Sequence, residues 1–98
     1  MTDGLLPADI LALASRVVDA NRALGRRIVL AESCTGGLVA AALTEIPGSS
    51  AVLDRAFVTY SNGAKQDQLG VASEILETFG AVSVACVYAM AQGALAAS

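Results

Sequence analysis

Two short stretches concentrate the residues able to do chemistry. In AESCTGGL, residues 31 to 38, a carboxylate (Glu32), two hydroxyls (Ser33 and Thr35), a thiol (Cys34) and two glycines (Gly36 and Gly37) follow directly on the apolar run Ile28-Val29-Leu30. In TYSNGAK, residues 59 to 65, stands the only lysine of the chain, Lys65. Ser33 and Thr35 are both good helix N-cap residues, and capping accounts for one of them. It does not account for Glu32, or for two glycines opening a helix, where each costs about 1 kcal/mol against alanine. A strand–turn–helix loop does account for them. Its bare N–H groups and the helix dipole receive an anion or a developing oxyanion. A P-loop is excluded, because no Gly-Lys-Ser/Thr follows.

A serine needs a base to become a nucleophile. The chain contains no histidine, so a His-based triad and His metal sites are excluded within it. The remaining candidates for a base are Lys65 and a carboxylate. A lysine serves only where burial or a nearby cation favours its neutral amine. If the ends of the two strands lie on one edge of the sheet, Ser33, Tyr60 and Lys65 converge, and Tyr60 relays the proton or holds the lysine in place. The plain alternative for Lys65 is a solvated side chain opening a helix.

The elements that must position these groups are legible as periodicity. Pro7 is expected as the first residue of an amphipathic helix over residues 7 to 24. Its apolar stripe is Ile10, Leu13, Ala14, Val17, Val18 and Leu24, with Asp9, Arg16, Asp19 and Arg22 toward water and Gly25 as the stop. Residues 27 to 31 read as a short buried strand, and Gly36 to Ile46 as a helix ended by Pro47-Gly48. Val52, Leu53, Phe57, Val58, Thr59 and Tyr60 favour a second strand, broken at Asn62-Gly63. Residues 64 to 69 read as a helical turn or two. Ser73 is expected to cap a short helix closed by Gly80, and Ser83 to cap the last one, residues 84 to 97. Strands alternating with helices predict an α/β layer fold.

Composition narrows the function classes. The 98 residues suit one domain, and 55% hydrophobic with 15% charged residues is too apolar for a disordered tail. A net charge of −3 with no basic cluster beyond Arg26-Arg27 argues against a nucleic-acid partner. Cys34 and Cys86 lack CxxC spacing, and MTDGLLPADI lacks the features of a signal peptide. The expectation is a cytoplasmic protein with reduced thiols. After Glu77 there is no charged residue, and VACVYAMAQGALAA is apolar on nearly every face. With Ser83, Gln92 and Gly93 in it and no basic flank, this stretch reads as a core helix and not a membrane span.

AESCTGG, IPGSSAV, DRAFVTYSN with its AK, and LGV followed by GAVS resemble, in this order, the CinA C-terminal domain family. It comprises the competence/damage-inducible proteins and the nicotinamide-mononucleotide amidases. The resemblance spans about Leu11 to Leu95. It implies an α/β fold, a three-layer α/β/α sandwich, and hydrolysis of the carboxamide of nicotinamide mononucleotide to nicotinic acid mononucleotide and ammonia. It implies Ser33 as nucleophile, Lys65 as general base and Tyr60 as its partner. Thr35, Gly36 and Gly37 would line the nucleotide site, and Glu32 and Asn62 are counted with them as substrate-binding. No cofactor and no metal is implied. The family domain continues with a further strand, a glycine-rich loop and more helices. Residues 1–98 are therefore expected to be a partial domain lacking the C-terminal strands and helices, and to self-associate through apolar surface. Where relatives carry glutamates on the last helix, this chain has Val84, Ala85 and Cys86. A nucleotide-binding module without turnover, or an inactive fragment, are the alternative readings.

Overall fold

Pro7 sets where the first helix begins. In the computed structural model, which describes residues 5–98, Pro7 has an extended ψ of 150° and occupies the N-cap position. Helix α1 (Ala8–Ala23) thus starts one residue later than the sequence suggested. The first four residues of MTDGLLPADI lie outside the described residues. Strand β1 (Ile28–Glu32) follows, then α2 (Leu38–Thr44), a 3-10 turn (Ser49–Ala51) and β2 (Leu53–Val58). Helices α3 (Asn62–Leu69), α4 (Ser73–Phe79) and α5 (Val84–Ala97) complete the order. The fold is α/β with a two-stranded parallel sheet, β1 beside β2. The Ile28 N–H donates to the Val52 carbonyl at 2.8 Å, and the Thr59 N–H to the Glu32 carbonyl at 2.8 Å. The first bond opens the ladder and the second closes it.

The chain divides into two units. One comprises the residues up to Ile28 together with Leu38–Asp54. There α1 packs against α2, burying Ala14, Val18, Ala42, Leu43 and Val52. Of the apolar stripe foreseen on α1, Ile10, Leu13, Val17 and Leu24 stay exposed. At seven residues, α2 is only about 10 Å long, too short to cover the whole stripe. Asp9, Arg16, Asp19 and Arg22 are exposed as the pattern required, and Arg22 pairs with Asp19 at 3.1 Å.

The second unit comprises Val29–Gly37 and Arg55–Ser98. Its core is Leu69, Val71, Leu76, Cys86, Met90 and Ala94, with Val29 and Ala31 of β1 and Phe57 of β2 packed against it. Cys86, Met90 and Ala94 recur at helical spacing, so one face of α5 is core. Val84, Val87, Tyr88 and Leu95 on its other faces are exposed. The all-apolar composition of α5 therefore fills only half of it with core. Among the described residues no helix is long and apolar enough to cross a membrane.

Side-chain caps explain the starts of α3 and α5. The Ser83 hydroxyl accepts from the Cys86 N–H at 3.1 Å, as expected for the residue before Val84. Ser61 accepts from the Ala64 N–H at 3.0 Å, which starts α3 at Asn62, two residues before the expected Ala64. Ser73 is not a cap: Ala72 holds that position without a side-chain bond, and Ser73 is the first helical residue.

Candidate active site

The turn after β1 is built by two left-handed glycines. Gly36 has φ +61° and Gly37 φ +101°, values that favour glycine and cannot continue an α-helix. The expected helix from Gly36 to Ile46 accordingly shrinks to Leu38–Thr44, and residues 33–37 form a turn. The Ser33 carbonyl accepts from the Gly36 N–H at 3.0 Å. The Glu32 carboxylate Oε1 accepts from the Gly37 N–H at 3.1 Å. Glu32 is buried and Ser33 half-buried, while Cys34 and Thr35 are exposed.

Lys65 reaches the same region from α3. It is only 1% exposed, since it shares the inward face of the helix with Leu69, four residues on. Its Nζ donates to the Thr59 carbonyl at 3.0 Å and to the Tyr60 carbonyl at 2.7 Å. The segment joining β2 to α3 thereby fixes the amine. It is a buried, clamped group and not the solvated lysine of the plain alternative.

A cavity of about 660 Å³ brings these residues together. Glu32, Ser33, Cys34, Thr35, Tyr60 and Lys65 line it on one side, and Val87, Ala91 and Leu95 of α5 on another. Among the described residues, Glu32 and Lys65 are the charged ones in its wall. Of the residues singled out from sequence, Asn62, Gly36 and Gly37 are not in the wall; Asn62 is the exposed first residue of α3. The bond between Tyr60 and Lys65 is made by the backbone carbonyl, while the tyrosine side chain is largely exposed at the cavity.

The family model of the CinA C-terminal domain matches residues 10–98. The chain belongs to that family. A nicotinamide-nucleotide amidohydrolase PncC of Escherichia coli is 48% identical over all 98 residues, which cover 57% of it. The PncC of Enterobacter agglomerans is 52% identical over 86 residues, or 88% of this chain and 52% of that protein. The crystal structure of the competence/damage inducible protein CihA from Agrobacterium tumefaciens superposes with a TM-score of 0.91 at 58% identity, over 95% of this chain and 56% of that one. The chain thus spans about half the length of these relatives. A CinA-like protein of Syntrophotalea carbinolica is 54% identical over 83% of this chain, which covers 20% of that protein.

Sequence reasoning missed two features of this CinA domain. One is the α5 wall of the cavity. An apolar helix face reads the same whether it meets core or an open pocket, so no signal in the sequence distinguished them. The other is Thr59, fully buried, whose hydroxyl has no hydrogen-bond partner. Its position next to Tyr60 at the end of a strand was the available hint.

Proposed function

We propose that this CinA domain carries the nucleophile and base of a nicotinamide-nucleotide amidase, with Ser33 as nucleophile and Lys65 as base. The supporting observation is that a buried, doubly held Lys65 amine and Ser33 line one cavity. The nitrogen of a lysine side chain is tetrahedral. One position is taken by its carbon, and two N–H groups are given to the Thr59 and Tyr60 carbonyls. The fourth position carries either the lone pair that takes a proton or the N–H that returns it. The clamp is therefore the same in both protonation states.

The reaction follows from this. The Ser33 hydroxyl attacks the carboxamide carbon of nicotinamide mononucleotide and its proton passes to Lys65. Collapse of the tetrahedral intermediate breaks the C–N bond, and Lys65 returns the proton to the departing nitrogen, which leaves as ammonia. Water then attacks the acyl ester and gives a proton to Lys65. The carboxylic acid departs as Ser33 regains its hydrogen. The N–H groups of Gly36 and Gly37 donate within the turn, so those of Cys34 and Thr35, which line the cavity, are the candidate donors to the oxyanion. Pyridine-nucleotide salvage, in the cytoplasm, is the setting this chemistry suits. The Tyr60 ring, exposed at the rim, offers an aromatic face to the pyridinium.

The test is ammonia release from nicotinamide mononucleotide by the purified protein. Ser33→Ala is expected to lose several powers of ten in kcat while still binding the nucleotide. Cys34→Ser should keep its rate. Lys65→Arg keeps charge but gives up no proton, and should be as inactive as Lys65→Ala. Tyr60→Phe leaves the carbonyl clamp intact, so a loss of rate there assigns the relay to the hydroxyl. An active Ser33→Ala variant would sink the nucleophile assignment.

A second reading is nucleotide binding without turnover: the cationic side chain Lys65 lines the cavity and would meet the nucleotide phosphate as a charge instead of serving as a base. Calorimetric binding of nicotinamide mononucleotide without ammonia release would select this reading.

A further inference from the structure

Glu32 stands where the two halves of the candidate site meet. Its carboxylate Oε1 accepts from the Gly37 N–H at 3.1 Å, which closes the turn that presents Ser33. Its backbone carbonyl accepts from the Thr59 N–H at 2.8 Å. The carbonyl of that same Thr59 accepts from Lys65 Nζ at 3.0 Å. A continuous run of hydrogen bonds thus leads from Gly37 through Glu32 and Thr59 to the lysine amine, and Ser33 is bonded to Glu32 in sequence. The side chain is only 4% exposed, although it borders the cavity. Gly37, the donor, sits at φ +101°, in the left-handed region that favours glycine.

Resting on the amidase reading above, we infer that Glu32 is a positioning residue: its carboxylate oxygen latches the 33–37 turn at Gly37 and so sets Ser33 against Lys65. A substrate contact is the less economical role for it. The oxygen is engaged by a backbone donor within the turn, and a carboxylate repels the phosphate of a nucleotide. What the latch requires is an acceptor oxygen at that reach; it does not require a negative charge. Glutamine supplies such an oxygen. Aspartate keeps the charge but falls one methylene short, and alanine supplies neither.

That difference gives the test. Glu32→Gln, Glu32→Asp and Glu32→Ala are compared by steady-state kinetics on nicotinamide mononucleotide and by hydrogen exchange at the Gly37 amide. The latch predicts that glutamine keeps kcat within a few-fold of wild type and keeps Gly37 protected. Aspartate and alanine should lose about 10²-fold in kcat, the scale of an ångström's misplacement, with KM little changed and Gly37 exchanging faster. If the alanine variant does not fold, the aspartate–glutamine contrast carries the same distinction. Should the wild-type protein release no ammonia, the amidase reading fails, while Gly37 exchange still decides the latch. Glutamine as damaging as alanine with Gly37 still protected would overturn the proposal, because charge and not reach would then be the requirement. So would an alanine variant with wild-type kcat or unchanged Gly37 exchange.

Discussion

Lys65 and Thr59 are joined by one hydrogen bond and separated by one unmet need. The lysine Nζ donates to the Thr59 carbonyl at 3.0 Å, yet the Thr59 hydroxyl, on a residue with 0% exposure, has no partner. The amine is spent on backbone carbonyls, and the Thr59 hydroxyl gains nothing from it. Both groups therefore make predictions about stability that do not depend on turnover.

Lys65→Met keeps most of the aliphatic stem but removes the donor to two carbonyls. Leaving a buried acceptor unsatisfied costs about 1–3 kcal/mol. Tyr60 is largely exposed, so water can reach its carbonyl more easily than that of Thr59. The expected outcome is a loss on the order of 1–3 kcal/mol, seen as a lower urea midpoint with an unchanged slope. A more stable methionine variant would mean that burying the amine costs more than its two bonds return.

Thr59→Val is expected to go the other way. Valine replaces the unpartnered hydroxyl with a methyl of similar shape, and such exchanges are neutral or stabilising where no bond is lost. A gain of about 1 kcal/mol would raise Tm by roughly 4–8 °C in a domain of this size. A drop in Tm would show that the hydroxyl is satisfied in solution, for example by a bound water.

The same contrast between visible side chains and invisible backbone decides how much was legible in the sequence. The bounds of α5 and its Ser83 cap were readable, because a serine stands directly before a long, uncharged and mostly apolar stretch. Ser33, Tyr60 and Lys65 were readable as neighbours from their places at the ends of β1 and β2, and all three line the cavity. The helix expected from Gly36 was misjudged, because composition does not reveal that Gly36 and Gly37 take left-handed φ values. Asn62-Gly63 was expected to separate the second strand from a helix at Ala64, but Ser61 just before it caps the helix, which therefore takes in both residues. The Lys65 clamp was not readable at all, since its acceptors are main-chain carbonyls and any residue type supplies those.

Two serines that look alike in sequence should behave differently. Ser83 accepts from the Cys86 N–H at 3.1 Å and donates to the Gly80 carbonyl at 2.8 Å. Ser73 makes no cap bond, because Ala72 holds the cap position. Ser83→Ala should cost about 0.5–2 kcal/mol, the range for losing an N-cap. Ser73→Ala should be neutral or gain a few tenths of a kcal/mol from helix propensity. The pair is read from chemical denaturation of the two variants side by side, and equal effects would contradict the cap assignment.

Gly93 offers the sharpest reversal of a propensity rule. In the middle of a helix, glycine to alanine normally stabilises by about 1 kcal/mol. Gly93 lies inside α5 where that helix crosses α3, and a Cβ there would stand 1.9 Å from the Leu69 carbonyl oxygen. The obstacle is main chain at the end of a helix whose next residue, Gly70, already adopts a left-handed conformation, so it cannot swing aside as a flexible side chain would. Relief requires α5 to move away from α3, opening the core at Leu69, Met90 and Ala94. Overpacking of this kind costs about 1–3 kcal/mol or more, which outweighs the helix-propensity gain. Gly93→Ala should therefore lower Tm by several degrees or more. Because Ala94 and Leu95 line the cavity, it should also weaken binding of nicotinamide mononucleotide in calorimetry. A variant that melts higher than wild type would mean that α5 does not approach α3 this closely in solution.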